Sequence, residues 1–171
     1  MRLQLSTTKG QRELVDWFMD LDLLDTALVL IGSEFNAFSD RLKKQVGEHL
    51  GRTVFLFEKL SEDELQAAYY EATIFLSATY TEAQPLMLLD AMSVGLPFLC
   101  RDVGAVSELE GGVCFKNKAD FKKKLQWLLK GSLLRELLGK TGKKTALKKH
   151  NWERIARQYH NLIQNSLTQD A

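Results

Sequence analysis

The chain reads as an α/β domain: a doubly wound parallel sheet of about six strands between two layers of helices. Three observations predict this. Short, continuous apolar runs recur along the sequence, the pattern of strands buried on both faces. Between them lie segments whose apolar residues follow helical spacing. Residues 74–100 then place an apolar strand, a polar loop, a helix apolar almost all round and a second apolar strand in direct succession, which is a βαβ unit.

The elements follow in order. Leu3 to Ser6 is a short first strand. Gln11 to Leu24 is an amphipathic helix, with Leu14, Trp17, Phe18 and Leu21 on one face. Ala27 to Gly32 is a strand. Ser39 to Leu50 is a helix with Ser39 as its cap. Thr53 to Phe57 is the next strand, and Ser61 opens a helix with Glu64 placed for a capping box. Thr73 to Ser77 is a strand. Pro85 opens the βαβ helix, Gly95 closes it, and Leu96 to Cys100 is the strand beyond. Val103 to Leu109 is a short helix and Gly112 to Phe115 a last strand. From Ala119 the chain is helical to its end, broken near Gly131 and near His150-Asn151. In such sheets ligands sit at the carboxyl ends of the strands. The loops after Ser6, Gly32, Phe57, Ser77 and Cys100 should therefore share one edge, which brings Lys9, Leu60, Glu82 and Gly104 together.

Composition narrows the class. The 171 residues suffice for one domain with its own core, and 45% hydrophobic with 26% charged residues is ordinary for a globular chain. No apolar run approaches the roughly 20 residues of a membrane span. Met1 to Gly10 lacks the apolar core of a signal peptide. The expected location is the cytoplasm, with a peripheral position at the inner face of the membrane left open. Cys100 and Cys114 fall in strands and form no metal spacing, and His49, His150 and His160 show no ligand pattern, so no metal or other cofactor is expected. Charge is unevenly spread. Residues 1–115 hold 9 Lys+Arg against 18 Asp+Glu, whereas residues 116–157 hold 14 against 3, net +11. That basic third is either a solvated lysine-rich face or a contact for an anionic partner: a phosphate-rich substrate, a membrane or nucleic acid. Nucleic acid is not expected, because no recognisable nucleic-acid-binding pattern is present.

The most informative residue is Asp90. It stands in the βαβ helix among Leu86, Met87, Leu88, Leu89, Ala91, Met92 and Val94. A carboxylate there is costly to bury unless a protein donor or a ligand meets it.

The surrounding residues resemble a known family. Glu82 and Asp90 have the Glu-x7-Glu spacing found at a strand–loop–helix junction in retaining glycosyltransferases of the GT-B fold, group 1 (family 4), with Asp in the second place. Ala91-Met92, Gly95-Leu96-Pro97 and Asp102-Val103-Gly104 follow in the family's order. Lys9-Gly10 resembles its Lys-Gly after the first strand, Leu28 to Gly32 its second strand, Leu60-Ser61 with Glu64-Leu65 its loop and short helix, and Asn151-Trp152-Glu153 the Ser-Trp-Glu of its last helix. The resemblance spans roughly residues 5 to 165.

It implies the Rossmann-like, three-layer C-terminal half of a GT-B enzyme, binding a nucleotide sugar such as a UDP-, GDP- or ADP-hexose and transferring the hexose, with retention, to an acceptor hydroxyl in polysaccharide or glycolipid biosynthesis. By the same resemblance, Lys9 and the helix that follows Pro85 face the diphosphate and Leu60 packs the base. Asp90 accepts from the ribose hydroxyls, Glu82 is the catalytic-site acid touching the donor sugar, and Gln84, Leu86 and Gly104 also contact the donor. The acceptor-binding N-terminal domain lies outside this chain, which alone should bind donor without completing transfer. Residues 151–168 are expected to pack across the domain. Their stripe of Trp152, Ile155, Tyr159 and Leu162 faces either its core or the acceptor domain. The chain departs from the family at Gln4, where an arginine is common, at Glu58 and Ala83, where glycines are common, and at Asp90. These departures motivate the alternative, a degenerate, non-catalytic scaffold.

Overall fold

The computed structural model describes residues 9–83 and 85–169, with side chains through Ser166. The element order is α1 (Gln11–Met19), β1 (Leu28–Gly32), α2 (Ala37–Val46), β2 (Val54–Glu58), α3 (Glu62–Glu71), β3 (Phe75–Ser77), α4 (Leu86–Val94), β4 (Phe98–Arg101), β5 (Gly112–Phe115), α5 (Lys118–Lys130), α6 (Ser132–Lys149) and α7 (Trp152–Gln169). A 3-10 turn over Gly104–Glu108 stands where a short helix is expected.

All described strand pairs are parallel. β1 pairs with β2, from Leu28 opposite Val54 to Gly32 opposite Glu58. β4 lies between β3 and β5, with Leu99 opposite both Leu76 and Val113. The described residues thus show five of the about six expected parallel strands, as a two-stranded and a three-stranded sheet. The expected first strand, Leu3 to Ser6, lies outside the described residues.

The alternation of β4 shows the three layers. Leu99 joins a core built with Leu14, Val15, Trp17 and Phe18 of α1, Phe38, Leu42 and Val46 of α2, and Phe121, Leu125 and Leu128 of α5. Phe98 and Cys100 point the other way, into a core with Leu88 and Met92 of α4 and Ala146 of α6. Such burial on both sides is why the β4 run has no polar residue before Arg101.

Helix boundaries follow local chemistry. α1 ends at Met19, short of the expected Leu24. Asp22 takes a left-handed conformation (φ 46°), and Leu21 and Leu23 reach the core from a turn instead of a helix. In α2 the cap is Asn36, not Ser39. Asn36 Oδ1 accepts from the amides of Phe38 (2.9 Å) and Ser39 (3.3 Å), while Ser39 Oγ accepts from the Asn36 amide at 2.6 Å. The capping box at Ser61 and Glu64 is present as expected, and Gly95 closes α4 in the left-handed region at φ 84°. α7 does not lie on either core. Of its described side chains only Ile155 is half-buried, and Trp152, Tyr159, Leu162 and Ile163 are exposed.

Candidate functional site

The site begins with two helix N-termini at the carboxyl edge of the strands. α2, α3 and α5 each carry a side-chain cap, from Asn36, Ser61 and Asn117. α1 and α4 carry none: they open from Gly10 and Pro85. Their first-turn amides and the positive ends of their dipoles remain available to an anion. Lys9 precedes α1 and Glu82 precedes α4, and the two pair at 3.5 Å from Nζ to Oε2. Both line one cleft with Leu60, Thr79 and Met87. The expected convergence of Lys9, Leu60 and Glu82 therefore holds.

The loop from Ala78 to Glu82 is gripped at both ends by glycines. A Cβ on Gly10 would fall 2.0 Å from the Ala78 carbonyl oxygen. One on Gly104, whose φ is +54°, would fall 1.9 Å from that of Glu82. Only glycine permits either approach. Gly104 thus belongs to the site by supporting Glu82 from the β4 side. Between them Thr79 Oγ1 donates to the Thr81 carbonyl at 3.0 Å.

Asp90 is not the buried carboxylate the apolar sequence suggests. α4 turns Leu88, Ala91 and Met92 inward and leaves Leu86 and Asp90, four residues apart, exposed on the outward side. Desolvation by its apolar neighbours still raises the carboxyl pKa of Asp90 above the ordinary range. Among the described residues no donor meets its side chain; the one bond in its vicinity runs from Ser93 Oγ to its backbone carbonyl, at 2.7 Å. Tyr69 of α3 lies near it, donating its hydroxyl to the Met87 carbonyl at 3.4 Å. Burial, reinforced by the Asp90 charge, pushes the Tyr69 phenol up to about 12. Gln84 lies outside the described residues.

Two residues, Arg101 and Gln11, escaped the sequence reading. Arg101, at the end of β4, ties the site together. Its Nε donates to the Ala78 carbonyl at 3.1 Å, its guanidinium pairs with Glu13 of α1, and it lies 4.6 Å over the Tyr80 ring. Gln11, the first residue of α1, lines the cleft with only 5% exposure, and neither amide atom has a hydrogen-bond partner among the described residues. Glu58 does not add an unsatisfied charge to a phosphate loop. Its Oε2 accepts from the Phe35 amide at 2.5 Å and ties the loop after β1 to the end of β2.

The family description "Glycosyl transferases group 1" matches residues 3–145. The chain belongs to this family. No curated protein matches it. Among solved structures, sucrose-phosphate synthase from Thermosynechococcus elongatus is 24% identical, with a TM-score of 0.83 over 95% of this chain and 43% of its own. A glycosyltransferase from Rickettsia africae is 17% identical, with a TM-score of 0.84 over 98% of this chain and 47% of its own. The C-terminal domain of a group 1 glycosyl transferase from Francisella tularensis is 22% identical, with a TM-score of 0.74 over 87% of this chain and 83% of its own. This group 1 chain therefore spans less than half of the first two relatives and most of the isolated C-terminal domain. It has the Rossmann-like fold of a GT-B C-terminal half, as the motifs implied.

Proposed function

We propose that this chain is the donor-binding part of a retaining glycosyltransferase that moves a hexose from a nucleotide sugar to an acceptor hydroxyl in glycan or glycolipid biosynthesis. The observation that carries this is the meeting of Lys9, Glu82 and the uncapped starts of α1 and α4 at one edge of the parallel strands. A departing nucleoside diphosphate needs cations and N–H dipoles fixed in advance, and this edge supplies both. Lys9 and the two helix ends hold the diphosphate. Asp90, whose carboxylate meets no donor among the described residues, takes the ribose hydroxyls. Glu82 contacts the donor sugar, Leu60 packs the base, and Gln84, Leu86 and Gly104 shape the rest of the pocket. No metal is required in this reading, because backbone amides and Lys9 carry the phosphate charge. Anabaena HepE, 15% identical with a TM-score of 0.81, was solved with UDP and glucose, which supports a nucleotide-sugar ligand.

The acceptor site lies on a second half of the enzyme. The exposed stripe of Trp152, Tyr159, Leu162 and Ile163 on α7 is the surface that meets it. A non-catalytic scaffold gives no reason for an Asp90 carboxylate, or a Gln11 amide in the cleft, that meets no partner among the described residues. Thermal unfolding with a panel of nucleoside diphosphates and their hexose adducts tests the proposal. One nucleotide series should raise the melting temperature in a saturable way, as mass action requires of a ligand bound only by the folded state. A flat response across the panel contradicts it.

A further inference from the structure

Helix α6 packs with its small residues and displays its large ones. Its buried positions are Gly139, Gly142, Thr145 and Ala146. Gly139 comes so close to α4 that a Cβ there would fall 2.1 Å from the Gly95 carbonyl oxygen. Thr145 Oγ1 is fastened to Glu110 at 2.6 Å. The outward face is the reverse. Leu133, Leu137 and Leu147 are 80%, 63% and 57% exposed, and Lys140, Lys144 and Lys148 are exposed among them. At about 100° per residue all six fall within roughly 100° of the helix circumference, in a strip about 22 Å long. The acid beside that strip, Glu136, is already paired with Lys140 at 2.5 Å.

A solvated face has no use for three leucines in water, and a nucleic-acid contact uses lysines but not leucines. An anionic bilayer uses both: leucines enter below the headgroups while lysine stems extend along the apolar layer and place their ammonium groups at the phosphates. The strip lies in the part of the chain that carries +11 over residues 116–157, so the long-range field attracts the same surface. We propose that the outward face of α6 is a docking surface for an anionic lipid bilayer. The inference does not depend on the transferase reading, since none of the six residues belongs to the donor site.

Vesicle flotation of the full chain tests it, with phosphatidylglycerol-containing vesicles against pure phosphatidylcholine vesicles and a DNA duplex as competitor. Flotation is expected only with the anionic vesicles. The triple variant Lys140→Gln, Lys144→Gln, Lys148→Gln should weaken it roughly a hundredfold, at about fivefold per lysine. The double variant Leu133→Ser, Leu137→Ser should weaken it roughly tenfold. Leu137→Trp, read against the parent's own tryptophans, should gain quenching by brominated lipid. Since all these positions face solvent, circular dichroism should confirm that each variant folds. No flotation, flotation unchanged in the lysine variant, or flotation unchanged in the leucine variant without quenching overturns the proposal. Preferential capture by the DNA duplex also overturns it and assigns the strip to nucleic acid.

Discussion

Gly104 and Asp90 are the residues at which backbone and charge most directly constrain this site. Gly104 combines a left-handed φ of +54° with an approach to the Glu82 carbonyl that leaves no room for a methyl group. Gly104→Ala should destabilise the chain by about 2–3 kcal/mol, from the left-handed penalty plus the displaced loop. It should also weaken donor binding at least about tenfold. Urea unfolding and titration read the two effects separately. Asp90 makes the opposite prediction for stability. Its carboxyl pKa is raised in the folded chain by desolvation. Below the unfolded pKa the group is protonated in both states and carries no penalty. As pH rises through the raised folded value the partly desolvated charge appears, and the penalty is complete by neutral pH. Asp90→Asn should therefore stabilise the protein by about 0.5 kcal/mol near pH 7, a value reduced for the group's exposure. The gain should vanish below about pH 4. Unfolding curves at both pH values check the sign. If the same substitution also abolishes nucleotide binding, stability and function conflict at this residue, as they do at binding sites.

At the scale of elements, the legible and illegible parts have different physical origins. The box at Ser61 and Glu64 is readable because its two partners are three residues apart in sequence. So are Gly95, Gly131 and the apolar strands. Ser39 misled for the same local reason: it is a good capping residue, but Asn36 is a better one three positions earlier, and Ser39 serves as the other half of the same box. Asn36→Ala and Ser39→Ala should each cost about 1 kcal/mol in thermal unfolding, and the double variant less than their sum, because both remove one reciprocal pair. The end of α1 was hidden by tertiary contact, since Leu21 continues the helical spacing of Leu14, Trp17 and Phe18, yet it and Leu23 reach the core from a turn. Arg101 was hidden entirely. Its partners lie elsewhere, Glu13 on α1 and Ala78 and Tyr80 in the loop after β3, and nothing local marks a side chain whose role is to join these two to β4. For Asp90 the pattern exposed the residue but not its setting. An apolar helix suggests burial all round, whereas α4 buries one side on β4 and α6 and leaves the other at the surface.

For the whole molecule, the arrangement is a domain with one working edge and two unoccupied surfaces. The edge carries Lys9, Glu82, Gly104 and the starts of α1 and α4. The surfaces are the apolar side of α7 and the outward strip of α6. The fold at this level was largely legible, because alternating apolar strands and helices leave few parallel topologies. The division of labour among its surfaces was not, because the amphipathic pattern of α7 fits packing on its own core as well as docking on another domain. The central claim is that the edge binds a nucleotide sugar. Calorimetric titration of the chain with UDP, GDP, ADP and their hexose adducts tests it most directly, with Asp90→Ala and Lys9→Ala beside the parent. The account predicts saturable binding to one nucleotide series, weakened at least about tenfold in each variant. Binding that both variants leave unchanged, or no binding to any nucleotide, would contradict it.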